Sequence, residues 1–354
     1  MNRIVIVSDA WFPQVNGVVR TLNETVERLR TRGFGVDLIT PDLFFTIPCP
    51  GYSEIRLALA PRTRVRRMLN RMRPDIVHIA TEGPLGWSAR SWCIANNMPF
   101  TTAFHTRFPD YAAARTRLSA ERFWPLMRRF HAPSSAVLVA THGLIAELNS
   151  RGIVQTRLWS RGVDLDHFRA DQSPHPELAD LPQPIMLSVG RVAVEKNLEA
   201  FLSAKLPGSK VVVGDGPMLM QLTRKYPDVV FLGKLSGIEL ASAYSAADVF
   251  VFHSRTDTFG LVMVEALACG VPVAGYAVAG PLDVIGHDGK GPGAIYAGKV
   301  GAVDEDLAVA IGQAARCSAE DCQAAARLYN WENTVDQFVS ALTDALQLST
   351  RKAA

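Results

Sequence analysis

Apolar runs of four to six residues recur along the chain, alternating with longer stretches in which apolar positions return every three or four residues. The first half gives strand candidates at Ile4–Val7, Gly35–Thr40, Ile76–Ile79, Phe100–Phe104 and Ala136–Ala140, and a helix from about Val18 to Arg30. In that helix Leu22, Val26 and Leu29 form one apolar stripe, and Gly33 stops it. A second strand–helix series runs from Ile185 to about Ala279. Such alternation is the pattern of parallel sheets covered by helices. Between the series, residues 171–184 carry four prolines and no periodicity, which predicts a linker. From Trp331 onward Val335, Phe338, Val339, Leu342 and Leu346 line one side of a last helix, and packing on its own domain explains that stripe adequately. The expected fold class is α/β, with two Rossmann-like domains and a cleft between them. Their expected bounds are 1–170 and 185–330, with the linker at 171–184 and the final helix at 331–354.

Composition narrows this picture. The 354 residues leave room for two domains, and 48% hydrophobic content suits a globular core. No segment reaches the roughly 18 uninterrupted apolar residues of a membrane span. Met1–Val7 leads straight into a strand, so no secretory leader is expected. Five scattered cysteines, Cys49, Cys93, Cys269, Cys317 and Cys322, form no zinc-type cluster and suit reduced thiols in a cytoplasm. Net charge is +3, but unevenly spread. Residues 1–170 hold 23 Arg and no Lys against 13 acidic residues, a balance of +10, and residues 171–354 are at −7. A basic half suits nucleic acid or anionic lipid, and no nucleic-acid motif accompanies it.

Three constellations carry candidate chemistry. In Thr256–Gly270, Asp257 precedes Phe259-Gly260-Leu261, and Glu265 follows eight residues after Asp257. The run before it, Asp248–His253, reads as a buried strand, so the two carboxylates flank a strand-to-helix turn where α/β proteins bind ligands. Free N–H groups at a helix start suit phosphate or hydroxyl oxygens, and a carboxylate accepts two hydroxyl hydrogen bonds, as a ribose offers. Upstream, the strand Ile185–Gly190 leads to Arg191 and Lys196, two cations spaced to clamp a diphosphate. Third, Gly214-Asp215-Gly216 ends a strand, and its glycines permit close backbone approach. Each motif alone is weak, since a Gly-Asp-Gly is more often only a turn. The three together, in this order and spacing, are strong.

With these motifs the chain resembles the retaining glycosyltransferases of family four, which have the GT-B fold of two Rossmann-like domains with parallel sheets facing across a cleft. The likeness extends over Asp9–Gly17, Phe104-His105-Thr106, Arg161–Asp164 and Tyr329–Glu332. Within the family it is most similar to the bacterial lipid-glycosylating branch of diacylglycerol glycosyltransferases and related α-mannosyltransferases. One departure concerns the family's usual Glu–Glu pair, whose first member here is Asp257.

The resemblance implies a metal-independent, cofactor-free enzyme that retains anomeric configuration by front-face displacement. His105, Arg191, Lys196 and Asp257 would be catalytic. Asn16, Gly17, Gly190, Gly214, Leu235, Phe259, Gly260, Leu261 and Glu265 would join Arg191, Lys196 and Asp257 around the donor, with Glu265 on the ribose. Base contacts would come largely from backbone around Lys234-Leu235-Ser236. Glu82 and His105 would face the acceptor. The last helix would cross back to the first domain. Ordinary structural readings stand beside these: Asn16 as a helix cap, His105 as a core histidine, Glu82 as a loop carboxylate. Asp164-Leu165-Asp166 has the D-x-D form of metal-dependent transferases of another fold, but the resembled family uses that segment structurally.

Two stretches of the basic half have the composition of interfacial segments. In Arg62–Arg73, Val65, Met68, Leu69 and Met72 share a face among six Arg; Leu118–Phe130 adds Phe123, Trp124, Leu126, Met127 and Phe130 with Arg122, Arg128 and Arg129. The first reads equally as a crossover helix packed on its sheet. The expected partners are thus a nucleotide-sugar donor, a lipid acceptor and an anionic membrane surface, with no nucleic acid. The expected place is the inner face of the cell membrane, held peripherally. The expected activity is transfer of a hexose or uronic acid from a nucleotide sugar, UDP-linked in preference, to diacylglycerol. A GDP-mannose-dependent α-mannosyltransferase is the rival within the class, and a sugar-nucleotide-binding protein without turnover the rival outside it.

Overall fold

Each of the two alternating series folds into its own six-stranded, wholly parallel sheet. The computed structural model describes residues 1–14, 16–49, 52–116 and 118–353. The chain divides into a unit made of Met1–Arg161 with Trp331–Ala354 and a second unit, Gly162–Asn330.

The first unit contains β1 (Arg3–Val7), β2 (Gly35–Ile39), β3 (Thr46–Cys49), β4 (Tyr52–Ala58), β5 (Ile76–Ile79), β6 (Phe100–Phe104), β7 (Ala136–Val139) and β8 (Thr156–Leu158). Its sheet runs β2-β1-β5-β6-β7-β8, and β3 and β4 form a separate antiparallel hairpin. Side chains alternate across a strand. Ile4 and Ile6 therefore join Leu22 and Val26 of the helix Gly17–Thr31 on one face. Val5 and Val7 join Val65 and Leu69 of the helix Arg62–Met72 and Leu85 of the helix Pro84–Ala95 on the other. The final helix, Trp331–Ala353, belongs to the first face: Val335, Phe338 and Leu342 are fully buried there. Full burial of one such side chain stabilises by about 1.5–3 kcal/mol.

The same packing decides what the basic stretches expose. Val65 and Leu69 are buried, Met68 and Met72 half-buried, and Arg62, Arg64, Arg66, Arg67, Arg71 and Arg73 all point to solvent. Trp124, Met127 and Phe130, expected on an interfacial face, are instead buried in the unit's own core. Trp124 stacks on Phe104 with centroids 6.0 Å apart. What the first stretch leaves for a partner is an Arg surface, and the second adds the exposed Leu118 and Leu126 to its Arg residues. Arg117 and the Arg115 side chain, just before the second stretch, lie outside the described residues, as does Val15 of the Asp9–Gly17 motif.

The second unit contains β9 (Ile185–Val189), β10 (Ser209–Val213), β11 (Val230–Gly233), β12 (Val249–Phe252), β13 (Val273–Gly275) and β14 (Gly301–Val303), ordered β11-β10-β9-β12-β13-β14. Its core gathers Phe201, Leu202, Val212, Val251 and Ile311. Residues 171–184 have fixed places in this unit. Leu178 is buried, and the His175 amide donates to the Ser242 carbonyl at 3.1 Å.

Candidate active site

In an open parallel sheet, ligands bind beyond the carboxyl ends of the two strands where the connections change direction. In the second unit that point lies between β9 and β12, which pair directly. Arg191 and Lys196 follow β9, and Asp257 follows β12. The structure brings two of these together: Lys196 Nζ donates to Asp257 Oδ1 at 2.5 Å. Arg191 stands 3.5 Å from Glu195. The side chains of Lys196 and Asp257 keep 23% and 19% of their exposure, so both remain within reach of a ligand.

The loop carrying Lys196 is held from below by a residue that the sequence did not single out. His253 Nδ1 meets the Lys196 carbonyl, and a carbonyl only accepts, so Nδ1 carries the proton. His253 Nε2 is then the acceptor for the Ser188 hydroxyl at 2.7 Å, from within β9. The ring is buried and lies parallel to Phe201 at 6.3 Å. Burial lowers its pKa to about 4, keeping it neutral and its donor and acceptor roles fixed. Thr256 adds a hydroxyl bond to the Glu195 carbonyl at 3.4 Å. The two loops beyond β9 and β12 are thus laced together.

The glycines have steric reasons. A Cβ on Gly214 would lie 1.8 Å from the Gly190 carbonyl oxygen, and one on Gly216 2.3 Å from that of Val192. The backbones beyond β9 and β10 therefore touch. Gly260 caps the helix Leu261–Ala268 at φ +88°, where a Cβ would strike the Phe252 ring. Phe259 is buried edge-on to Tyr329 at 5.9 Å. Glu265 is buried in that helix and accepts from the Tyr244 hydroxyl at 3.0 Å. Leu235 is half-buried on the loop after β11.

The first unit has its own change of direction, between β1 and β5. Asp9 follows β1 and is buried; it accepts from the Thr81 hydroxyl at 2.9 Å and from the amides of Leu85 and Gly86 at 2.9 and 3.2 Å. Burial raises its pKa to about 6 against those bonds, with Glu82 adding a smaller push. Glu82, after β5, lies 3.4 Å from the buried His131. His105 ends β6, and its Nδ1 accepts from an Arg161 Nη2–H at 3.0 Å. Arginine has no acceptor, so the His105 proton sits on Nε2. Burial, Arg161 and His78 hold its pKa well below 6.5. His105 is therefore built as a neutral hydrogen-bond donor. Arg161 is itself buried, tied to the Trp159 carbonyl at 2.7 Å, its pKa lowered to about 9 by desolvation.

Asn16 spends its side chain as a helix cap, accepting from the Val18 and Val19 amides at 3.0 Å each, with Gly17 opening the helix. Asp164 closes a turn, accepting from the Asp166 and His167 amides at 3.1 and 3.2 Å. Among the described residues no three His, Cys, Asp or Glu side chains gather where they could hold a metal ion. Arg161, His131 and His253 escaped the sequence reading; Arg161 and His253 lay inside quoted segments without a role assigned, whereas His131 gave no local signal.

Comparison with known proteins matches this arrangement. Residues 15–167 fit the profile of Glycosyltransferase Family 4, and residues 170–327 that of Glycosyl transferases group 1. A sulfoquinovosyl transferase of Arabidopsis thaliana is 30% identical over 81% of this chain, which spans 62% of that protein's length. A GDP-mannose-dependent alpha-mannosyltransferase of Mycobacterium tuberculosis is 30% identical over 80% of this chain and 81% of its own. An alpha-monoglucosyldiacylglycerol synthase of Streptococcus pneumoniae is 27% identical over 77% and 70%. Among solved structures, a sucrose-phosphate synthase from Thermosynechococcus elongatus superposes over 100% of both chains with a TM-score of 0.72 at 23% identity. Anabaena HepE in complex with UDP and glucose does so over 97% of this chain and 100% of its own, with a TM-score of 0.71 at 15% identity. Two parallel-sheet Rossmann-like units, both profiles and relatives matched over most of their length place this chain in glycosyltransferase family 4, with the GT-B fold.

Proposed function

We propose that the protein transfers a hexose or uronic acid from a nucleotide sugar, a UDP-sugar in the first instance, to the hydroxyl of a membrane lipid, diacylglycerol above all. The observation that carries this reading is the Arg191, Lys196 and Asp257 group beyond β9 and β12, with the Lys196–Asp257 bond of 2.5 Å. Arg191 and Lys196 receive the charge that grows on the departing diphosphate, and Asp257 and the Gly260–Leu261 helix start hold the sugar hydroxyls. Glu265 accepts from the ribose. As the anomeric C–O bond breaks, its electron pair leaves with the diphosphate. The acceptor oxygen bonds to the same face, and its proton passes to the leaving phosphate oxygen. Configuration is retained and no metal is required. His105, locked as an Nε2–H donor, binds a sugar oxygen and removes no proton.

The lipid acceptor is supported by the diacylglycerol-linked relative and by the exposed Arg face of Arg62–Met72, which suits the anionic inner face of a cell membrane. A second reading, transfer of mannose from GDP-mannose to a glycolipid or soluble glycan, is favoured by the mycobacterial relative. Mass spectrometry of lipids from a host expressing the chain, against a Glu265→Ala control, decides between them: a new glycosyl diacylglycerol is expected. A panel of nucleotide sugars assayed with EDTA completes the test. Activity lost on chelation and restored by magnesium or manganese would end the metal-free scheme.

A further inference from the structure

Behind Glu82, a chain of buried polar atoms fixes where every proton sits. The His131 carbonyl accepts from the Ser134 hydroxyl at 2.7 Å and from Gln155 Nε2 at 2.9 Å. With its proton so used, Ser134 Oγ accepts from the Thr102 hydroxyl at 3.2 Å. Thr102 Oγ1, its own proton spent, accepts from His131 Nδ1–H at 2.9 Å. That leaves His131 Nε2 facing Glu82 Oε1 at 3.4 Å, both atoms buried and without a hydrogen-bond partner. Two bare acceptors repel at that distance, and one shared proton would satisfy both. His131 and Thr102 are fully buried, and the Glu82 side chain keeps 11% of its exposure. Asp9, beyond β1, lies close enough for the Glu82 charge to raise its pKa, and the Arg90 guanidinium is tied to the Arg129 and Phe130 carbonyls.

Glu82 stands at the first unit's own change of direction, the place where an α/β sheet takes its ligand. A phosphate there would look for the N-terminal amides of the helix Pro84–Ala95. Those of Leu85 and Gly86 are already taken by the Asp9 carboxylate. What remains is the Glu82 side chain, which accepts from an alcohol O–H and gives a phosphate no donor.

We infer that Glu82 is the acceptor-hydroxyl site, that His131 is the residue that positions it, and that the site takes an uncharged alcohol in preference to a phosphorylated one. This rests on the lipid-acceptor reading above. The test compares wild type, His131→Phe, His131→Gln and Glu82→Gln with diacylglycerol or phosphatidylglycerol in mixed micelles of equal charge. His131→Phe is expected to raise the acceptor KM about tenfold or more, well beyond its effect on the donor KM. His131→Gln, whose amide N–H reaches the Nε2 position, recovers most of the loss. Glu82→Gln narrows the preference for diacylglycerol. Equal rises in both KM values, or a fall in kcat alone, would overturn the inference. Nitrogen-15 NMR of labelled histidine tests the shared proton without turnover. His131 Nε2 is expected to be protonated in wild type and bare in Glu82→Gln; a bare Nε2 in both overturns the inference. Wild type inactive on both lipids would strike the lipid reading, and the NMR result then decides this site.

Discussion

Lys196 is held at both ends: its ammonium by Asp257, its carbonyl by His253. The first bond is one a donor diphosphate would compete for, and the second sets where the ammonium starts. Lys196→Ala is expected to lower kcat/KM by roughly a hundred- to a thousandfold, the usual cost of removing a charge-stabilising group from a developing oxyanion. Its unfolding midpoint should barely move, because a partly exposed pair contributes only about 0–1 kcal/mol. Steady-state kinetics beside denaturant titration checks both, and a large stability loss would recast Lys196 as structural. At this scale the candidate residues could be named from the sequence, but not their pairing. Arg191, Lys196, Asp257 and Glu265 were legible because their motif is local. Arg161 bonds His105 across 56 positions and His253 bonds Lys196 across 57, and no periodicity encodes such contacts.

Strand positions were the most legible feature of the elements. Ile76–Ile79 and Phe100–Phe104 fold with the bounds their runs predict, since a strand buried on both faces is largely apolar, and His78 and Thr101 here satisfy each other. The Thr46–Ala58 hairpin went unread: its residues are largely exposed where described, so no hydrophobic period marks it. The start of the helix Pro84–Ala95 carries a measurable cost. Asp9 supplies its amides with a carboxylate, yet burial has raised that group's pKa from 3.8 to about 6. The folded state thus binds the proton more tightly than the unfolded state. Stability from this group is greatest below pH 4 and declines as pH rises through 6, by roughly 3 kcal/mol in all at 1.36 kcal/mol per unit. Unfolding free energies of wild type minus Asp9→Asn, measured from pH 4 to 7, should fall by up to that amount. A flat difference would mean that the helix-end bonds fully offset the desolvation.

Across the whole molecule, the +10 balance of residues 1–170 includes the six exposed Arg of Arg62–Arg73, whose apolar partners Val65 and Leu69 are buried. Attachment to lipid would therefore be electrostatic, about 1 kcal/mol per basic residue and screened within a Debye length. Binding to liposomes is expected to rise with their anionic fraction and fall with salt. Replacing Arg64, Arg66, Arg67 and Arg71 together by Gln should release the protein while nucleotide binding persists, because the cation group lies in the other unit. Salt-insensitive binding, or none, would favour a soluble acceptor. The last helix has a different consequence. Phe338 and Leu342 complete a core begun by Ile4 and Ile6, while all of Gly162–Asn330 lies between them in the chain. In synthesis the second unit is therefore complete before the first. The first unit keeps one face of its sheet uncovered until the helix Trp331–Ala353 has been made, long after its own strands.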